Sequence, residues 1–501
     1  MIHIGIALGI ILVRSVYQEP FTSFVERAGT RLTNEPYGYR KQAGELIRGI
    51  FQTLSIRHVP LLSTDMHQWK GQGARQHAYY QPQHYSDNGI PIPSSAISVF
   101  PSAPPEGEHI TVDTTDSLLT SVKSAKPGQV ITIKPGIYRF HGRSIPVTHA
   151  GTVQQPIMVR ANRLGEAQLE FSMLEGFHVM APYWVFENLI ITGTCKNDSD
   201  CEHAFHVVGD AQGFVLRNST IKDFNAHVKV NGSSGHYPDN GLIEHSNFYN
   251  QHARKTPNQV NLLNINSVDN WRVQSNLLAD FMKSGGDKLS YGAFMKGNGR
   301  KGIFENNLVI CEMNLTYSGK TQVALSFGGG GTGTAFCRDQ SCETEHSEGI
   351  IKNNIILNCP TDVAIYLNKA AKTRIYHNAL INTLGIDARF GSTSALIANN
   401  IIAGRIKDRD GATTIRQNNL IDIDCVQPGS YWPFSCAVDE LYQAPYAGDF
   451  RLQKGSLILG RGITINKKMT DFCDNTADPQ HPDLGPIQYS NGRSCLPLYR
   501  E

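Results

Sequence analysis

FENNLVI (304–310), IKNNIIL (351–357), IYHNALI (375–381), IANNIIA (397–403) and IRQNNLI (415–421) repeat one pattern around an asparagine. Four earlier segments share it: WVFENLI (184–190), FVLRNST (214–220), IEHSNFY (243–249) and RVQSNLL (272–278). The anchors are Asn188, Asn218, Asn247, Asn276, Asn307, Asn354, Asn378, Asn400 and Asn419. Most gaps are 19–31 residues, and one, Asn307 to Asn354, is 47. A period of this size marks a solenoid, whose units are too small to bury an apolar face alone and must stack. Apolar residues flank each anchor at alternate positions, which is strand spacing. An amide side chain has donors and an acceptor, so stacked asparagines can bond up and down a column. The expected fold is all-β, a right-handed parallel β-helix, with the nine anchors in one column.

The chain divides on composition. Residues 1–20 contain an apolar run, IHIGIALGIILV (2–13), resembling a signal peptide and too short to span a bilayer. No other stretch is apolar enough to cross a membrane. Residues 21–108 read as an arm or linker with one possible helix over 40–54. The β-helix is expected over 109–444, opened by a capping helix at 116–124, and a C-terminal cap over 445–501. Net charge is +2, which gives no bulk electrostatic case for nucleic acid.

Ten cysteines fall into five local pairs: Cys195–Cys201, Cys311–Cys359, Cys337–Cys342, Cys425–Cys436 and Cys473–Cys495. Such a framework belongs to an oxidising compartment, so the expected location is secreted or periplasmic. A monomer is expected.

Aligning strands by their distance to the next anchor sets a register. Phe205, Val207, Val228, Val230, Leu263, Ile265, Phe294, Leu325, Phe327, Ile365, Leu367, Ile386, Ala388 and Phe390 fall inward. Their neighbours point out by period-2 alternation. The outward row holds His206, His227, Lys229, Asn231, Asn264, Asn266, Ser326, Tyr366, Asn368, Asp387 and Arg389. Seven rungs at about 4.8 Å span roughly 29 Å, room for several sugars. Lys296 breaks the register and is expected to be turned out by a bulge, near Tyr291. His203 and His206, three apart on a strand, should face opposite ways and so cannot share a metal without a bend. The glycine run 328–331 lacks a phosphate-loop ending and reads as a loop.

The opening SLLTSVKSAKPGQVITIKPGIYRF (117–140), the anchored coils and the closing DLGPIQY (483–489) resemble the pectate-lyase-like β-helix proteins. More narrowly, they resemble the chondroitinase B and alginate lyase family. That resemblance implies an acidic polysaccharide as substrate, a lysine base and calcium held by Asn and Glu. Lys229 matches the base. The Glu-x-Glu expected before it is absent, since the stretch reads NAHVKV (225–230), and the next strand, NLLNINS (261–267), has no Arg. Calcium therefore stands only as a candidate cofactor.

The functional expectation is a lyase cutting a uronic-acid polymer by β-elimination. Lys229 or His227 would be the base, His206 the proton donor and Lys296 the cation. Asn231, Asn264, Tyr291, Tyr366, Asn368, Asp387 and Arg389 would bind sugars along the face, with Arg389 five rungs from Lys229. A uronate C5-epimerase shares the first step. A non-catalytic glycan-binding module is the third reading.

Overall fold

The structure is a computed structural model. It describes Gln42 and residues 107–315, 321–329, 332–421, 438–445, 449–465, 469–473 and 475–489. The expectations for residues 1–106 lie outside these, Gln42 apart, as do Cys425, Cys436 and Cys495.

Each coil contributes one strand to each of three parallel sheets. Sheet A has 12 strands, from His109–Val112 to Thr413–Gln417. Sheet B has 11, from Gly136–Gly142 to Leu420–Ile421. Sheet C has 10, from Ile145–Val147 to Arg405–Arg409. The chain is a parallel β-helix. Helix α1 (Thr115–Lys123) precedes the first full coil. Thr114 and Ser117 form its capping box, and Leu118 and Val122 are buried in the main core. Its neighbours include the terminal strands of all three sheets. No helix among the described residues is long and apolar enough to cross a membrane.

The asparagine ladder exists, and its membership differs from the sequence expectation. Asn276, Asn307, Asn354, Asn378, Asn400 and Asn419 stack in the turn from sheet A to sheet B. From Asn276 to Asn400, the backbone N–H and Nδ2 of each residue donate to Oδ1 of the next, at 2.9–3.1 Å. Two serines continue the column below: Ser246 N donates to Asn276 Oδ1, and Ser219 N to Ser246 Oγ. Asn188 and Asn218 sit one residue earlier, where φ is 59° and 43°. Ser275, Asn306, Asn353, His377, Asn399 and Asn418 occupy this same left-handed bend. Asn247 sits one residue later, as the first residue of a sheet B strand. Asparagine is common in this turn for two reasons, tolerance of positive φ and amide stacking. The repeat alone does not separate them.

A second constraint lies at the entry to sheet C. Phe205, Val228, Leu263, Ala293, Leu325 and Ile365 are in register and face inward. The residue before each is inward as well: Ala204, His227, Leu262, Gly292, Ala324 and Ala364. The five with side chains are fully buried. At Gly292 a Cβ would meet the Ala324 carbonyl at 2.6 Å. Each coil thus places two consecutive residues inward at this corner, and alternation restarts after it.

Cys195–Cys201, Cys311–Cys359 and Cys337–Cys342 are bonded, with Cα separations of 5.7, 5.1 and 5.6 Å. Cys473 is also disulfide-bonded. The described C-terminal segment covers the outer face of sheet B. Phe450, Ile458, Phe472 and Leu484 belong to one buried cluster with Leu308, Ile310, Ile355 and Leu357. Sheet B strands therefore bury both faces, which accounts for their unbroken apolar runs.

Replacing Asn354 with Ala should be costly. It removes an acceptor for Asn307 and donors to the Phe304 and Lys352 carbonyls, all buried or partly buried. Unsatisfied buried groups cost about 1–3 kcal/mol each, so the expected loss is about 3 kcal/mol or more in chemical denaturation. A loss below about 0.5 kcal/mol would contradict the ladder's structural role.

Candidate active face on sheet C

The corner sorts the side chains of sheet C into columns. The outer middle column runs His178, His206, Lys229, Asn264, Phe294, Ser326, Tyr366, Asp387 and Lys407, each the register partner of the next. Two residues further along each strand is a second column, containing Asn231, Asn266, Lys296, Asn368, Arg389 and Arg409. A third column precedes the corner, with Glu175, His203, Ala226, Asn261, Tyr291, Val323, Val363 and Leu384. Its first half is polar apart from Ala226, and its second half packs as an apolar cluster.

Several expectations change here. His227 is not on the face. It is the corner residue of its coil, fully buried between the edges of Phe224 and Phe248, with Nε2 3.1 Å from the Tyr249 carbonyl oxygen. Burial pushes its pKa down to about 3, so the ring is neutral. Lys296 needs no bulge. Ala293 and Met295 are the inward residues of its strand, so Phe294 and Lys296 both face out. Phe390 is partly exposed at φ 74°, just past its strand, beneath the Arg389 guanidinium. His203 and His206 share the outer face, because the corner between them consumes two inward positions.

Lys229 lies in the middle of the polar half. Its Nζ donates to Asn264 Oδ1 at 3.0 Å, and Asn266 Nδ2 donates to the same oxygen at 2.5 Å. Burial, together with the charge of Lys296, lowers the Lys229 pKa to about 8 against the pull of Glu202. Lys296 is itself lowered by burial, opposed by Glu345. Its Nζ sits 4.7 Å over the Phe294 ring, and Gly329 lies against its stem. The loop after Phe327 explains the 47-residue gap. It carries Cys337–Cys342 and is fastened by Arg338, which donates to Asp239 at 2.7 and 2.9 Å and stacks on Tyr237. Ser267 Oγ donates to the Phe336 carbonyl at 2.6 Å, so this loop walls one side of the face beside Lys296.

His206 is held on both ring nitrogens. Nδ1 is 2.9 Å from Glu175 Oε1, and Nε2 is 2.9 Å from Asn231 Oδ1. Its ring stacks on His178 at 5.0 Å. Towards the C-terminal end the expected sugar binders are occupied by one another. Asn368 Nδ2 donates to the Tyr366 hydroxyl at 2.9 Å. Arg409 donates to Asp387 at 2.9 and 2.6 Å, and Arg389 to Asp410 at 2.5 Å. Tyr291 packs edge-on against Phe294, and burial raises its hydroxyl pKa. The structure brings His206, Lys229, Asn231, Asn264 and Lys296 together and leaves Arg389 and Asp387 in a separate charged network. Asn266 joins the first group, as the outward row expects, and Glu175 and His178 were not anticipated. Their signal in the sequence was the in-register alignment with His203 and His206.

No family model matches the chain. Pectate lyase L of Dickeya chrysanthemi is 30% identical over 89 residues. That match covers 15% of this chain and 21% of the relative. Among solved structures, pectate lyase Pel9A aligns over 82% of this chain and 100% of its own, at 14% identity and TM-score 0.49. A polysaccharide lyase of Pseudopedobacter saltans aligns over 65% and 90%, at 15% identity and TM-score 0.40. A rhamnogalacturonan lyase aligns over 62% and 87%, at 14% identity and TM-score 0.42.

The lowered lysine has a measurable consequence for stability. Between pH 8 and the ordinary value of 10.5 the unfolded chain holds a proton that folded Lys229 has lost. Stability therefore gains a rising component across that window and is penalised below it. Denaturation midpoints from pH 7 to 10.5 should show the wild type gaining relative to Lys229→Met as pH rises. Parallel profiles for the two proteins would place the Lys229 pKa at its ordinary value.

Proposed function

We propose that the protein is a polysaccharide lyase that cleaves a uronic-acid polymer by β-elimination, with Lys229 as the base. The observation that carries this is an outward lysine, desolvated and paired with a second lysine, on a polar face long enough for several sugars. A base works best with a pKa near the operating pH, and about 8 meets that need. The short likeness to a pectate lyase agrees with the substrate class.

In this reading the Lys229 amine removes the proton on C5 of the uronate. The electron pair forms the C4=C5 double bond, and the C4–O bond breaks. The Lys229 ammonium then returns the proton to the departing oxygen, which closes the balance. Lys296, two rungs away or about 10 Å along the sheet, supplies positive charge for the carboxylate. Asn264 and Asn266 orient the amine. His206 does not act as proton donor here, since both its nitrogens are engaged. His227 takes no part. An oxidising, extracytoplasmic setting fits the three described disulfides.

The test is turnover of pectate, alginate and glycosaminoglycans, followed by the ultraviolet absorbance of the unsaturated product. Lys229→Ala should lower the rate by roughly 10²–10⁴-fold, the usual worth of a general base, while Arg389→Ala retains most of it. Solvent deuterium entering C5 with no new absorbance would instead identify an epimerase. Wild-type rates in Lys229→Ala would end the assignment.

A further inference from the structure

Glu175, His203 and His206 meet at the amino-terminal edge of sheet C. One ligand atom from each lies within 4.8 Å of the others. Two of them are register partners, since His203 sits across from Glu175, and His206 follows on the same outer face once the corner is passed. The hydrogen bonds around them fix the ring tautomers. Asn231 Nδ2 donates to the Gly232 carbonyl at 3.0 Å, so its Oδ1 is the atom facing His206 Nε2. That nitrogen must carry a proton. In a neutral ring the lone pair is then on Nδ1, pointing at Glu175 Oε1 from 2.9 Å. Two lone pairs at that distance require a cation between them, either a proton or a metal. His203 Nδ1 is 3.3 Å from the Ala226 carbonyl oxygen, which makes Nδ1 the protonated atom and leaves Nε2 as a donor to metal. Histidines that bind metal commonly have the other nitrogen anchored in this way.

We infer that Glu175, His203 and His206 form a binding site for a divalent transition cation of the zinc class. Two imidazoles and one carboxylate suit such an ion, and a three-residue set leaves a fourth position for water or substrate. Ligands on tetrahedral zinc at about 2.0–2.1 Å lie about 3.3 Å apart. The Glu175–His206 contact needs to open by only a few tenths of an ångström to accept the ion. Calcium, which prefers an oxygen shell, fits this set poorly.

The use of the site rests on the lyase reading, although its existence does not. His206 is the register partner of Lys229, with backbones about 4.8 Å apart. An ion there would face the same sugar as the base. It would add positive charge on the side of the base away from Lys296, where the carboxylate of a neighbouring uronate could bind.

The experiment uses the full chain, stripped with chelator and dialysed, and titrates zinc alone by calorimetry, with cobalt absorption as a second readout. The wild type should bind one equivalent that Glu175→Gln and His203→Ala each weaken at least tenfold. His236→Ala, which alters an exposed histidine paired with Asp210, should bind as wild type does. Circular dichroism checks that the variants are folded. The isosteric Glu175→Gln keeps the test valid should His203→Ala unfold. No equivalent bound, or equal uptake in all variants, would overturn the site. Zinc binding without turnover of any uronate polymer would leave the site standing and remove the lyase reading. Turnover that is indifferent to zinc would leave the lyase reading standing and overturn the ion's part in the reaction.

Discussion

Everything on the active face depends on two consecutive inward residues at the entry to sheet C. A strand alternates by geometry, and this corner interrupts the alternation once per coil. It does so with small side chains where it can, as at Ala204, Gly292, Ala324 and Ala364. In one coil the position is filled by His227, whose imidazole is held by a carbonyl and wedged among aromatic rings. The same interruption turns Glu175, His203 and His206 to one side. A straight strand would have separated them.

The face is also an electrostatic compromise. Two lysines share a region that excludes much of the water, and among the described residues neither has a carboxylate bonded to it in the manner of Arg389 or Arg409. The charged form of Lys229 is therefore disfavoured by desolvation first and by its neighbour second. The C-terminal half of the sheet is arranged in the opposite way, with the Arg389 and Arg409 guanidiniums bonded to Asp410 and Asp387. One half of the face keeps proton affinity adjustable, and the other half is neutralised and packed.

Much of the fold was legible in the sequence, because stacking writes a period into the chain. The strand pattern, the anchors and the short disulfide loops all followed from local spacing. What failed was the assignment of single columns. Asn188 and Asn218 occupy the bend and stack there on each other, outside the main column, and Asn247 has moved into the strand. The two roles sit at adjacent positions and favour the same amino acid. Lys229, His206 and Asn264 were placed correctly because they follow the corner. His227 was misplaced because it lies within it, and Phe294 because an alternation counted across the corner slips by one. Pairing across strands, which brings Glu175 to His206, is tertiary information that spacing within one strand does not contain.

The Cys311–Cys359 bridge has a further implication. It joins consecutive coils across a sequence separation of 48 residues, and that span includes the loop walling the groove. Solenoids of this kind fray from their ends, one coil after another, because each unit leans only on its neighbours. A covalent rivet between two rungs halts such unzipping midway. By loop-closure entropy it is worth about 4 kcal/mol to the coils it joins. The rivet lies on the C-terminal side of the rungs bearing His206, Lys229 and Lys296. Heat, or a protease working inward from the C-terminal end, would meet it before reaching them.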